Sequence, residues 1–209
     1  MSKQIDKKET KKDKVKKCVA TQIAYYQNTL DSSHTKANLS RLRKGAGQPF
    51  GTMCDVTGLA LGDDFPEELE GTVAGPSPAE AAVYDIMTMY AKHQQSCRNP
   101  VHIQGKNKSF AAAVAKLMEM GNSKESLYRR FGVISSCRTV DDLYQVLLRM
   151  VELLKQRSYS FDYVELAGDI YDFTFEDGRR RVLRKWDRNF RKEIKAQEKK
   201  KKSKEGKAA

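Results

Sequence analysis

The 209-residue sequence predicts an all-α protein. Three observations carry this. Apolar residues return every three or four positions along most of the chain, the period of a helix and not of a strand. Hydroxyl and carboxylate residues stand just before several of these stripes, where they cap the first free N–H groups of a helix. No run alternates apolar and polar residues as a half-buried strand does, and no hairpin turn signal separates two such runs. No internal repeat is visible.

Taken in order, Val19, Ile23, Tyr26 and Leu30 fall at i, i+4, i+7 and i+11 and predict a first helix, which Asp31-Ser32-Ser33 breaks. A second, short helix covers Thr35 to Lys44, with Ala37, Leu39 and Leu42 apolar; Gly45 and Gly47 end it and Pro49 forbids continuation. Residues 46–77 hold six Gly and three Pro and read as loop, with one short helix near Pro66 to Leu69. Pro76-Ser77-Pro78 opens the next helix, whose inner face is Ala79, Ala82, Val83, Ile86, Met87 and Tyr90. The polar run Lys92 to Ser96 ends it, and residues 97–108 are loop.

The second half is more regular. Ser109 caps a helix with the stripe Phe110, Val114, Leu117 and Met118, and Ser123 caps one with Leu127, Phe131 and Ile134 inside. Thr139 precedes Asp141 and Asp142, acids that the helix dipole favours in a first turn. Behind them Val140, Leu143, Tyr144, Leu147, Val151 and Leu154 form the longest stripe. Asp162 to Glu165 resembles a capping box and opens a helix with Leu166, Ala167 and Ile170 inward. Glu176-Asp177-Gly178 turns the chain into a last helix. There Val182, Leu183, Trp186, Phe190 and Ile194 share one face, and Arg181, Arg184, Lys185, Arg188, Arg191, Lys192 and Lys195 lie opposite. The expected organisation is a disordered basic arm at 1–14, an N-terminal helical subdomain at 15–104, a C-terminal helical bundle at 105–195 and a disordered basic tail at 196–209.

Charge is distributed unevenly. Residues 1–17 hold eight Lys against three acidic groups, and residues 178–209 hold fifteen Lys and Arg against four. Between them, 18–177 carries sixteen basic and twenty acidic groups. The net charge of +12 therefore comes from the ends, which would attract any polyanion. The four cysteines, Cys18, Cys54, Cys97 and Cys137, have no short pairing pattern and read as reduced thiols of a cytoplasmic protein. No apolar run approaches the ~20 residues of a membrane span.

Sequence signatures of common chemistries are absent: there is no Walker loop, dinucleotide-binding glycine pattern, H-E-x-x-H or nucleophile elbow. His93, Cys97 and His102 could supply three metal ligands, with Cys54 or Cys137 completing the set from afar, but structural zinc wants four at tight spacing. A Cys/His hydrolase pair involving Cys97 or Cys137 has no local context that would activate the thiol. The expectation is therefore no metal, no cofactor and no catalysis. Asp162 is better read as a cap, and Asp169 as the partner of a nearby arginine.

The arginines are more informative. Arg41, Arg43 and Lys44 precede a glycine turn, Arg129 and Arg130 flank Phe131, Arg138 follows a helix end, and Arg149 sits off the longest apolar stripe. Arg184 and Arg188 join them from the last helix. Each alone is ordinarily a solvated charge or half of an ion pair. Together, on an acidic body, they form a placed set suited to phosphate, which the planar guanidinium binds through two oxygens at once.

At these residues the sequence resembles the CasB family, the small subunit of the type I-E CRISPR surveillance complex, Cascade. The resemblance runs in one order through Leu42-Arg43-Lys44-Gly45, Tyr90 to Gln95, Ser109, Arg129-Arg130-Phe131, Leu148 to Val151, Asp162 to Leu166 and Arg184-Lys185-Trp186. It covers roughly residues 19–191. Lys44 stands where arginine is usual, and Phe173 where a second tryptophan is common. The resemblance implies a non-catalytic helical subunit, present in two copies, that contacts guide RNA and the target and displaced DNA strands during R-loop formation. Its partners would be those nucleic acids, other Cascade subunits and a second copy of itself, with no membrane. An unrelated helical adaptor that binds RNA or DNA through its basic C-terminal helix is the alternative.

Overall fold

The computed structural model describes residues 9–120 and 123–208. They form nine α-helices: α1 (Lys11–Asn28), α2 (Ser33–Lys44), α3 (Cys54–Leu61), α4 (Pro78–Gln94), α5 (Phe110–Lys116), α6 (Lys124–Gly132), α7 (Val140–Gln156), α8 (Tyr163–Phe173) and α9 (Glu176–Ala208). Short 3-10 turns lie at Glu67–Leu69, Leu117–Met120 and Val133–Ser136. Among the described residues the only β pairing is two isolated bridges, so the all-α expectation holds.

The hub is α4. Thirteen of its seventeen residues are buried, and a helix buried on nearly every side belongs in the middle of a fold. Helices α1, α2, α3, α7 and α8 pack around it. Its start is fixed by a capping box: the Ser77 hydroxyl accepts from the Ala79 and Glu80 amides, and the Glu80 carboxylate accepts from Ser77 N–H at 2.7 Å and from Gly71 N–H at 2.7 Å. On its other side α8 touches α1, α4 and α9, and α9 in turn lies along α5. The loop expected at 97–108 is present, yet it does not divide two cores. One contiguous apolar cluster runs from Val15 to Ile194, because α8 returns from the second half to pack on α1 and α4.

Most caps form as the sequence implies. Ser109, Ser123, Thr139 and Asp162 each accept an amide from three residues ahead, at 3.4, 3.1, 3.0 and 2.9 Å. The box at Asp162 is one-sided: Asp162 N–H donates to the Lys108 carbonyl, and the Glu165 carboxylate turns to Lys185 at 2.8 Å.

Four expectations need correction. Residues 54–61, read as loop, are α3; Val56 and Ala60, four apart, are buried, and tertiary packing overrides Gly58 and the short length. Residues 11–14 of the expected disordered arm are the first turn of α1, capped reciprocally by Thr10 and Asp13, with Val15 fully buried just behind; residues 1–8 lie outside the described residues. The expected disordered tail is helix as far as Ala208. Ile194 and Gln197 are buried, and Glu198 pairs with Lys124 at 2.8 Å, so the helix is anchored past its last apolar residue. Finally, the partner of Asp169 is a lysine. Lys185 Nζ lies 2.7 and 2.9 Å from its two oxygens, and Trp186 Nε1 donates to it at 2.6 Å.

That last group ties α9 to α8. Asp169 and Trp186 are buried. Burial works against charge on Lys185, but Asp169 and Glu165 outweigh it and hold the ammonium above its ordinary pKa. Asp169→Ala should cost about 3 kcal/mol in urea unfolding, the low end for breaking a buried pair, because Lys185 is 37% exposed. Adding Lys185→Met should recover a good part of it; a double variant as unstable as the single would refute this account.

His93 on α4 is fully buried, 2.9 Å from the Tyr163 hydroxyl, and stacks on Phe161. Burial, with help from the Lys155 charge, pushes its pKa from 6.5 down to about 4. The unfolded chain therefore takes a proton that the folded chain refuses, and stability falls as pH drops from about 6.5 to about 4. The loss should reach roughly 3 kcal/mol at 1.36 kcal/mol per pKa unit. Melting curves of His93→Gln across that range should show a visibly shallower acid limb than the parent protein.

Candidate nucleic-acid interface

The nine cations singled out in the sequence sit on five separate pieces of the fold. Arg41, Arg43 and Lys44 occupy the last turn of α2. That end is locked against α4: Tyr84 donates its hydroxyl to the Gly45 carbonyl at 3.3 Å, and a Cβ on Gly45 would fall 2.6 Å from Val56 and 2.7 Å from the Tyr84 oxygen. Arg129 and Arg130 are exposed in the last turn of α6. Phe131 behind them stacks on Phe190 of α9 at 4.3 Å, and Tyr128 meets the same ring edge-on at 5.1 Å. Arg138 is exposed between α6 and α7, and Arg149 is exposed on α7. Arg184 and Arg188 are exposed on α9.

None of these nine forms an ion pair among the described residues. The ordinary reading of a surface arginine as half of a salt bridge does not apply to them. Their supports matter as much. Eight of the nine stand on helices packed through buried aromatic or apolar residues, and Arg138 stands just before the N-cap of α7.

The structure also separates what the sequence placed together. Arg41 lines a cavity of about 910 Å³ between α1, α2 and α3, where Lys14 and Lys17 are matched by Glu9, Asp63, Asp64 and Glu68. Arg43 is half-buried and faces the other way, toward Lys155 at the end of α7, whose pKa it helps to lower. Arg149 shares a shallow groove with Asp141, Asp142 and Gln145, whereas Arg188 shares one with Arg191, Lys192 and Lys195. The cations thus fall into several short basic stations with different surroundings.

Sequence reading missed three members of one such station: Lys92, Arg98 and Lys155 line a single cavity. Basic residues in the last turns of two helices were visible, but their convergence depends on how α4 and α7 pack. Tyr128, exposed beside Arg129 and Arg130, was likewise not singled out.

The residues weighed for metal and thiol chemistry have other work. His102 Nδ1 accepts from Tyr163 N–H at 3.0 Å, and Cys97 donates its thiol to the His93 carbonyl at 3.3 Å. Cys137 donates to the Val133 carbonyl at 3.5 Å. Among the described residues no group of three His, Cys, Asp or Glu side chains gathers as a metal site, and no helix is long and apolar enough to cross a membrane.

Comparison with known proteins now adds identity to geometry. The family profile described as CRISPR-associated protein Cse2 matches residues 38–190. The crystal structure of CasB from Thermobifida fusca superposes with a TM-score of 0.70 at 31% identity, covering 85% of this chain and 97% of that one. A chain of a CRISPR RNA-guided surveillance complex superposes at 0.65 with 15% identity, over 91% of this chain and 99% of that one, a likeness of fold. No curated protein matches. With the motif order, the α4-centred helical fold and the family profile in agreement, this chain belongs to the Cse2 (CasB) family of CRISPR-associated proteins.

Proposed function

We propose that this chain is a non-catalytic small subunit of a type I-E Cascade complex in the cytoplasm. It contacts the sugar–phosphate backbones of guide RNA and of target and displaced DNA, beside a second copy of itself and the other subunits, and so steadies the R-loop. The observation that carries the reading is the set of nine cations, none ion-paired among the described residues, seven of them on the acidic stretch 18–177 and two on the basic last helix. Family membership supports the setting, and the surveillance complex in which a chain of the same fold is found supports the partners.

The energetics favour such a role. Exchanging a DNA duplex for an RNA–DNA duplex is nearly balanced, so protein contacts to the backbone can tip it. Those contacts carry no base code and need only arginines in the right places. The alternative of an unrelated adaptor gives way to the family match; what survives of it is the exposed basic face of α9, which on this reading is one station among several.

R-loop formation by the reconstituted complex tests this. Replacing Arg129, Arg130 and Arg149 by alanine should weaken R-loop formation, most of all at low salt, where releasing counterions is worth most. The slope of log affinity against log salt should become shallower by about 0.7–0.9 for each phosphate no longer neutralised. Arg184→Ala with Arg188→Ala should give a smaller effect. Unchanged R-loop formation over the whole salt series in both sets would sink the proposal.

A further inference from the structure

We propose that the cavity between the ends of α4 and α7 is a phosphate-binding site, with Lys92, Arg98 and Lys155 as its cations. The cavity measures about 630 Å³. One wall is the last turn of α4 and the loop after it; the other is the last turn of α7 and its exit. Arg98 forms no ion pair among the described residues, Lys92 shares Glu152 at 3.5 Å, and Lys155 donates to the neutral Gln95 side chain at 3.2 Å with Glu152 and Cys97 acting on it from farther off. Glu152 is the one acid in the lining.

Helix capping does not account for this arrangement. Two helix C-termini meet here, and one lysine apiece is their usual electrostatic complement. The cavity has a third cation in Arg98, and Arg43 stands close enough outside it to act on Lys155. Lys155 is half-buried, and burial, then Arg43 and Lys92, lower its pKa. Such crowding of like charge is unfavourable unless an anion shares the site.

Ser96 and Ser158 follow the ends of α4 and α7 with φ of 62° and 54°, the left-handed region where glycine or asparagine normally stands. Both line this cavity. At Ser158 this turn is a helix C-cap, in which Tyr159 N–H bonds the Leu154 carbonyl and Ser158 N–H the Lys155 carbonyl. Each serine here puts a hydroxyl in the lining, whereas the Ser160 hydroxyl, also in the lining, already donates to the Pro100 carbonyl at 3.2 Å. The loop itself is held from within. The buried Gln94 side chain donates to the Cys97 and Asn99 carbonyls at 3.0 Å each and accepts from Val101 N–H at 3.1 Å. Arg98 therefore projects from a loop pinned on both sides of it.

A phosphodiester of a nucleic acid and a free phosphate compound present the same oxygens to this site. The first form of the inference rests on the function proposed above; the site itself does not. Titration of the full chain with pyrophosphate in a calorimeter, at physiological salt, should show one saturable site. Lys155→Gln and Arg98→Ala should each weaken it about tenfold, the effect of losing one charge-assisted hydrogen bond. Ser158→Gly should also weaken it while raising the melting temperature, a pairing that a merely structural serine would not produce. Absence of saturable binding, or identical binding in the Lys155 and Arg98 variants, overturns the proposal.

A labelled single-stranded oligonucleotide separates the two sources. Competition with pyrophosphate, and a matching tenfold loss in the variants, assigns the site to nucleic acid. Pyrophosphate binding with oligonucleotide affinity unchanged assigns it to a free phosphate compound. The Arg129 and Arg130 variants should leave pyrophosphate binding intact, so a failure of the nucleic-acid reading is not mistaken for a failure of the site.

Discussion

A helix covered on all sides must find partners inside the protein for every polar group it carries, because each one left alone costs about 1–3 kcal/mol. Helix α4 meets most of this demand, the buried Tyr90 hydroxyl and His93 Nε2 being left without a hydrogen-bond partner among the described residues, and much of the molecule is arranged by the way it does so. At its start Glu80 gathers two amides and draws in the loop at Gly71. In its middle Thr88 bonds the Tyr84 carbonyl at 2.9 Å and the Tyr144 hydroxyl at 2.8 Å, fixing α7. At its end His93 meets Tyr163 and fixes α8, while Gln94 shapes the loop that carries Arg98. The polar residues that a sequence reading passes over as the end of a helix are here its attachments.

Those attachments place the basic stations. The end of α2 carries Arg43 and is seated on α4 through Gly45 and Tyr84. The end of α7 carries Lys155 and is brought beside it because α7 and α2 pack on the same helix. Arg129 and Arg130 depend on a different joint, the stacking of Phe131 on Phe190 between α6 and α9. The Asp169 pair in turn holds α9 to α8, and α8 to the hub. A change in that pair would therefore loosen α9, whose Phe190 backs Arg129 and Arg130, without touching either arginine.

What was legible in the sequence was local. Ser77, Ser109, Ser123, Thr139 and Asp162 were readable as caps because a cap is a bond between residues two or three apart. The stripe of α7 was readable because one face of that helix meets solvent; α4 was read as an ordinary amphipathic helix because burial on its other faces leaves no periodic trace. Composition misled at both ends. Lysine content argued for disorder, yet Thr10 and Asp13 cap a helix at one end and Gln197 is buried at the other. Helix α3 hid behind Gly58 and its short length. The individual arginines could be named, but the meeting of Arg43, Lys92 and Lys155 could not, since it depends on three helices far apart in the chain.

The structure further divides labour between the two basic side chains, and this explains how an acidic body keeps its arginines free. Ion pairs joining different elements are made by lysine: Lys12 with Asp172, Lys14 with Glu68, Lys92 with Glu152, Lys124 with Glu198, and Lys185 with Glu165 and Asp169. Other acids cap helices, as Asp13, Glu80, Asp142 and Asp162 do. The arginine pairs that form, Arg180 with Glu176 and Asp177 and Arg191 with Asp187, are local exposed contacts within α9. A lysine ammonium is a compact point charge that one carboxylate satisfies, whereas a guanidinium presents a fork matched to phosphate. Assigning lysines to internal pairing and acids to caps leaves Arg43, Arg129, Arg130 and Arg149 with no carboxylate within pairing distance among the described residues.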